Sequence, residues 1–205
     1  MQIVMTILVA IGAYLIGSIP VGLLVVRLKT GKDVRKVGSG RTGGTNVFRA
    51  AGPAIAVLSM LGDFAKGWIA VWLAQALVGT PIAEALAGVL AITGHNYSIF
   101  IRFDGGVGAI TTVGSATALW PVSLPFLAAM GIPMIYITRH TSVGSMTVGL
   151  LLPMLFILGA WLGDLPSVYL IHGVGALFLI FWALRPNIER LRSGEERRVV
   201  LDQHE

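Results

Sequence analysis

An all-α integral membrane protein of seven transmembrane helices is the fold class the sequence predicts, and three observations predict it: composition, the spacing of the apolar segments, and the one-sided placement of the cations. Of 205 residues, 55% are hydrophobic and 12% charged, and the mean hydropathy is +0.81. A soluble domain could not solvate such a surface. A bilayer-crossing helix takes about 20 residues, so the chain holds about six or seven spans with short connections and reads as one membrane domain.

The apolar segments run about 3–26, 53–79, 82–101, 108–119, 122–138, 143–161 and 167–184. The first has no basic stretch before it and no small-residue cleavage site after it, so it reads as a retained span rather than a signal peptide. The fourth is short, but Gly108, Ala109, Gly114, Ala116 and Ala118 let it pack closely among neighbouring helices. With seven crossings, the segments around Arg27 to Arg49, Arg102, Arg139 and Arg185 to Arg198 share one face and hold every Lys and Arg except Lys66. The opposite connections, around Gly79 to Pro81, Leu119 to Ser123 and Leu162 to Pro166, carry no basic residue. That asymmetry predicts a cytoplasmic basic face, an outside N-terminus and an inside C-terminus; six crossings would strand Arg139 on the basic-poor side. Trp120 and Trp161 fall near outer ends, where an aromatic belt is expected. The net charge of +5 is accounted for by this bias, with no soluble domain to present a nucleic-acid surface. Without cysteine, disulfides, thiolate metal sites and a cysteine nucleophile are excluded.

The polar residues gather at the basic face. The first loop, from Val37 to Arg49, is dense in glycines, hydroxyls and arginines around Gly38-Ser39-Gly40-Arg41 and Thr45-Asn46. Such a loop can turn backbone amides toward a phosphate and add charge in a guanidinium fork, although it lacks the P-loop spacing. A second element runs from Gly94-His95 to Gly105-Gly106-Val107-Gly108. It puts an ionisable ring at membrane depth and glycines at a helix N-terminus, where free amides bind anions. Asp63 and Lys66 lie three residues apart on one helix face and are placed to pair. Ser142, in Arg139-His140-Thr141-Ser142, is either a helix cap or a site hydroxyl. Arg185 to Glu196, opening a basic tail from 185 to 205, has the composition of a headgroup-binding segment. Together these elements predict one polar mouth suited to a phosphate-bearing substrate.

In order, the chain contains Gly-Ser-Gly-x-x-Gly-x-Thr-Asn-Val-x-Arg, Asp-x-x-Lys-Gly, Gly-His-x-x-x-x-Phe-x-x-Phe-x-Gly-Gly-x-Gly, Ser-x-Gly-Ser and Asn-Ile-x-Arg-Leu-x-x-Gly-x-Glu. From Gly17-Ser18-Ile19-Pro20 to Glu196 it resembles the PlsY family, the bacterial acyl-phosphate:glycerol-3-phosphate acyltransferases. The resemblance implies transfer of a fatty acyl group from acyl phosphate to the first hydroxyl of glycerol 3-phosphate, giving lysophosphatidic acid and phosphate for phospholipid synthesis. It implies a monomeric enzyme of the bacterial inner membrane, its site facing the cytoplasm, with no metal or cofactor and no nucleic-acid partner. It places Ser39, His95 and Asn187 as catalytic. Gly38, Gly40, Arg41, Thr45, Asn46, Arg49, Lys66, Gly105, Gly106, Gly108, Ser142 and Arg190 fall to substrate binding. An activated donor such as acyl phosphate needs positioning and charge neutralisation more than an enzyme nucleophile. No histidine here is followed by aspartate at the fifth position, so the His-x-x-x-x-Asp box of other glycerolipid acyltransferases is absent.

The chain departs from the family pattern at five positions. Asp104 and Val107 stand where the family's second motif has lysines, Leu184 where a histidine is common, and Ser98 where proline is usual. The two lysine replacements remove cations from that loop, and Arg41, in an asparagine place, returns one. These departures keep two further readings open: a changed acceptor or donor, and a fold retained without this catalysis. From another class, Asp63, Lys66 and His95 at membrane depth also suit a small transporter. No internal repeat supports that, and a transporter places such groups near the midplane.

Overall fold

Long apolar runs at membrane depth leave the backbone one solution, internal hydrogen bonding, so each becomes a helix. A computed structural model of the chain describes residues 1–199 and contains nine α-helices among them. In chain order these are α1 (Gln2–Ser18), α2 (Val21–Thr30), α3 (Gly44–Leu77), α4 (Pro81–Asn96), α5 (Ala109–Leu119), α6 (Ser123–Thr138), α7 (Thr141–Leu162), α8 (Leu170–Ala183) and α9 (Arg185–Arg192). Single 3-10 turns precede α3, α5 and α8.

Three stretches are by themselves long and apolar enough to cross a bilayer: Gln2–Thr30, Gly44–Leu77 and Thr141–Leu162. Ser167–Ala183 and Arg185–Arg192, bent by 58° at their junction, reach that length and apolarity only when taken together. Two expected boundaries shift. The first span is broken at Pro20, which carries no amide to continue the ladder. Helix α3 begins at Gly44 rather than near 53, and is interrupted at Gly52 (φ 82°, ψ 179°) before Pro53. From Pro53 to Leu77, α3 is about 37 Å long at 1.5 Å per residue, enough for a hydrocarbon core of about 30 Å. The preceding turns carry Asn46 and Arg49 into the loop region.

Helix α5, about 16 Å long, is too short to cross alone and is enclosed by its neighbours, as its small residues predict. Its axis closes on α3 through a reciprocal pair. A Cβ on Gly67 would fall 2.2 Å from the Thr111 carbonyl oxygen, and one on Gly114 would fall 2.1 Å from that of Phe64. Lipid tails are as apolar as leucine, so contact at this range, more than hydrophobic burial, holds such helices together. A core of Ile92, Val113, Leu152, Phe156 and Ile180 joins α4, α5, α7 and α8. Ile11, Met154, Ile157, Leu158 and Phe178 face outward in the way a lipid-facing surface must. Trp161 is exposed as a belt residue would be, whereas Trp120 packs its ring against Gly159.

The basic tail does not trail away from the bundle. Helix α9 folds under α8, and the chain then returns across the end of α6, where the Val199 amide donates to the Arg139 carbonyl at 2.7 Å. Residues 200–205, the end of that tail, lie outside the described residues.

Candidate active site

The first loop is shaped by one buried amide. Asn46 Nδ2 donates to the carbonyls of Val34, Val37 and Arg41 at 2.9, 2.8 and 2.8 Å, and its Oδ1 accepts the Ser39 amide at 3.2 Å. With 2% exposure and every polar atom engaged, Asn46 clasps the loop, although it was expected to contact substrate. Gly38 (φ +54°) completes the clasp, since a Cβ there would stand 2.3 Å from Asn46 Oδ1. Ser39 is left exposed at the rim, near Arg49. At the entrance to the loop, Asp33 accepts from Arg35, which holds its carboxyl down at about 2. Arg41 crosses the mouth to donate from Nη2 to the Ala183 carbonyl at the end of α8, where a helix dipole favours a cation. Burial first, then the charge of Arg190, lowers its pKa, yet a guanidinium stays protonated.

Below this loop lies the buried trio. Asp63 Oδ1 is 2.8 Å from Lys66 Nζ and 3.4 Å from His95 Nδ1. Lys66 also donates to the Ile19 carbonyl at 3.0 Å, at the break in the first span. Its ammonium is therefore spent on structure, and Lys66 does not border the cavity that the sequence assigned it to. His95 does border it. Its far nitrogen, Nε2, faces Gly106, where a Cβ would come within 2.1 Å of that atom.

The second loop differs from its expected role. The Gly106 amide donates to the His95 carbonyl at 3.1 Å, so it is not free for an anion, and Gly105 packs against the carbonyls of His95 and Asn96. Val107 lines the cavity, while Asp104 is exposed outside it with Arg35 as its charged company. The anion that the sequence places at the site is thus turned away from it. Leu184 is buried against the cavity wall.

On the other side, α7 begins without a side-chain cap. Ser142, in the first turn of α7, makes no cap and borders the cavity described below. It is buried, its Oγ standing near Glu196 without meeting hydrogen-bond geometry. Glu196 accepts from Asn187 Nδ2 at 2.6 Å and from Arg190 Nε at 2.8 Å. Burial would raise its pKa, but these bonds outweigh it and hold the carboxyl below the usual value. Asn187 Oδ1 is left without a partner among the described residues.

These groups surround one cavity of about 520 Å³. Its mouth carries Ser39, Arg41, Thr45, Asn46, Arg49, His95, Ser142, Asn187 and Arg190 from the expected set, with Gly106 and Gly108 in the wall; Gly38, Gly40, Lys66 and Gly105 lie outside. Three charged residues beyond the named set also border it: Asp63 beside His95, and Glu196 and Arg197 from the tail. The fifth motif ends on Glu196, which was a signal; Arg197 had none. Inward, the cavity continues as an apolar arm between α3, α5, α6 and α7, lined by Met60, Phe64, Val113, Leu127, Ile132 and Val148. Four arginines face two carboxylates across the mouth, a balance that favours an anionic head on an apolar chain. Among the described residues no three His, Asp or Glu side chains converge as a metal centre requires.

Comparison with known proteins matches residues 7–194 to the family model described as glycerol-3-phosphate acyltransferase. A glycerol-3-phosphate acyltransferase of Syntrophomonas wolfei subsp. wolfei is 39% identical over 187 residues, covering 91% of this chain and 93% of the relative. One from Thermus thermophilus is 43% identical over 188 residues, covering 91% and 92%. Among solved structures, the glycerol 3-phosphate form of PlsY, an integral membrane glycerol 3-phosphate acyltransferase, superposes with a TM-score of 0.86 at 33% identity, covering 95% of this chain and 96% of that one. Its lysophosphatidic acid form gives 0.83 at 30% identity, with 95% coverage of both.

Proposed function

The chain belongs to the glycerol-3-phosphate acyltransferase family, and from that premise we propose that it joins a fatty acyl group from acyl phosphate to the first hydroxyl of glycerol 3-phosphate, giving lysophosphatidic acid and inorganic phosphate in phospholipid synthesis. The observation that carries this reading is the single cavity whose mouth is arginine-rich and whose interior is an apolar arm. An acyl phosphate has that same division, a doubly charged head on a hydrocarbon tail, and glycerol 3-phosphate needs only the mouth.

In this reading the acyl chain lies along α3, α5 and α6, and the arginines neutralise the two phosphates, whose repulsion otherwise keeps the substrates apart. The acceptor hydroxyl attacks the acyl carbonyl carbon. The carbon–oxygen bond to phosphate breaks, and the electron pair leaves with the phosphate. Asp63 Oδ1 stands 3.4 Å from His95 Nδ1, so its charge favours a proton on that nitrogen and leaves Nε2 to take the proton that the hydroxyl sheds. That proton passes to the departing phosphate. Ser39 and Ser142 supply hydroxyl donors to phosphate or to the carbonyl oxygen as charge develops on it. Asn46 and Glu196 hold the loop and Asn187 in place.

The same reading sets the chain in a bacterial inner membrane as a monomer of one domain with seven crossings, α1, α3, α4, α5, α6, α7 and α8. The N-terminus is outside, and the mouth and the tail from 185 lie in the cytoplasm. The positive-inside bias supports that orientation. Donor identity is tested by giving purified protein glycerol 3-phosphate with either palmitoyl phosphate or palmitoyl-coenzyme A. Lysophosphatidic acid formed only from the phosphate supports the proposal, and formation only from the thioester refutes it.

A further inference from the structure

Resting on that reaction, the mouth has to hold two phosphate groups, and its four arginines are not equally free to do so. Arg190 is engaged by Glu196, and Arg41 by the Ala183 carbonyl. Among the described residues no carboxylate lies within ion-pair distance of Arg49 or Arg197, and their like charges repel across the cavity that both line. An anion between two such guanidinium groups converts repulsion into two charge-assisted contacts.

Arg197 is also held in place. The residue before it, Glu196, is tied to Asn187 and Arg190, and two residues later the Val199 amide is tied to Arg139. The backbone around Arg197 is therefore a strap pinned at both sides. Arg197 lies past the family-matched stretch, which ends at 194, and the second loop offers the cavity the apolar Val107 and no cation.

We propose that Arg197, carried on the C-terminal strap, pairs with Arg49 to clamp one of the two phosphate groups of the reaction. The ligand is a phosphate dianion, and its source is either the acyl phosphate or the glycerol 3-phosphate.

The test compares wild type, Arg197→Gln, Arg197→Lys and, as a control for net charge, Arg198→Gln, each purified in detergent. Titration calorimetry with inorganic phosphate and with glycerol 3-phosphate reads binding without requiring turnover, so it separates this proposal from the acyl-transfer reading. Steady-state kinetics then gives KM for palmitoyl phosphate and for glycerol 3-phosphate separately. Arg197→Gln is expected to weaken phosphate binding and raise one KM by about tenfold, the effect of one charge-assisted hydrogen bond, with kcat within about twofold. Arg197→Lys should recover part of that loss and Arg198→Gln should match wild type. A raised KM for palmitoyl phosphate assigns the clamp to the donor, and a raised KM for glycerol 3-phosphate assigns it to the acceptor. Equal behaviour of Arg197→Gln and Arg198→Gln, or wild type that binds neither phosphate, overturns the proposal.

Discussion

Both ends of the bundle bury ionisable side chains, but among the described residues those at one end line the large cavity and those at the other do not. At the far end Glu84 accepts from the Tyr169 hydroxyl, and His172 Nε2 stands 3.2 Å from Ser115 Oγ, all within the packed core. None of these four borders the cavity. At the basic end Asp63 and His95 are as deeply buried, yet both line it beside four arginines. A Ser–His pair is therefore not evidence of chemistry by itself. Polar groups enclosed in the packed core stabilise helix packing, even with capacity left over as at His172 Nδ1; polar groups that face a shared space make a site.

The difference can be broken or sharpened by substitution. Arg49→Ala should have the largest effect, removing half of the proposed clamp and a cation from the mouth. A loss in kcat/KM of about 100-fold or more is expected, with an unchanged unfolding midpoint, from phosphate-release kinetics and a thermal melt. Asn46→Ala should damage fold and activity together, because three carbonyls and the Ser39 amide lose their partner. About 3 kcal/mol of stability should be lost, and Asn46→Asp should not restore it, since a carboxylate cannot donate to carbonyls.

A smaller effect is expected at Glu196. Its folded pKa is held below the ordinary value of 4.5, so its bonds to Asn187 and Arg190 stabilise the strap fully above that pH and are lost as pH falls through the folded value. Glu196→Gln should therefore flatten the acid side of the stability profile. An unchanged profile would show that the strap is not held by this carboxylate. Smallest of all should be Tyr169→Phe at the far end, which leaves Glu84 without its hydroxyl donor. A loss of about 1–2 kcal/mol in the melt is expected, with kcat and both KM values unchanged below the transition. A kinetic effect there would dissolve the contrast between the two ends.

Much of this was legible in the sequence. The apolar segments mark the helices because a bilayer tolerates little else, and the charge bias identifies the end where the mouth lies. Hydropathy does not register φ and ψ, so the breaks at Pro20 and Gly52 were not expected where they fall. The site residues were named largely through motif resemblance, and where the structure gives one of them another partner the cause is shared. A sequence lists polar groups without saying which are already spent. Asn46 is spent on the loop, Lys66 on Asp63 and Ile19, and the Gly106 amide on His95. Asp104 was counted against the site and points away from it. Arg197 could not be read at all, because its place depends on the contact between Val199 and Arg139, far apart in the chain.

The most direct test of the contrast sets one buried histidine against the other. Phosphate release from palmitoyl phosphate and glycerol 3-phosphate would be followed in wild type, His95→Gln and His172→Gln, each confirmed folded by its melt. The account predicts that His95→Gln loses about 100-fold or more in kcat, as removal of a general base does, while His172→Gln stays within about threefold of wild type. Turnover retained in His95→Gln, or lost equally in both, would contradict it.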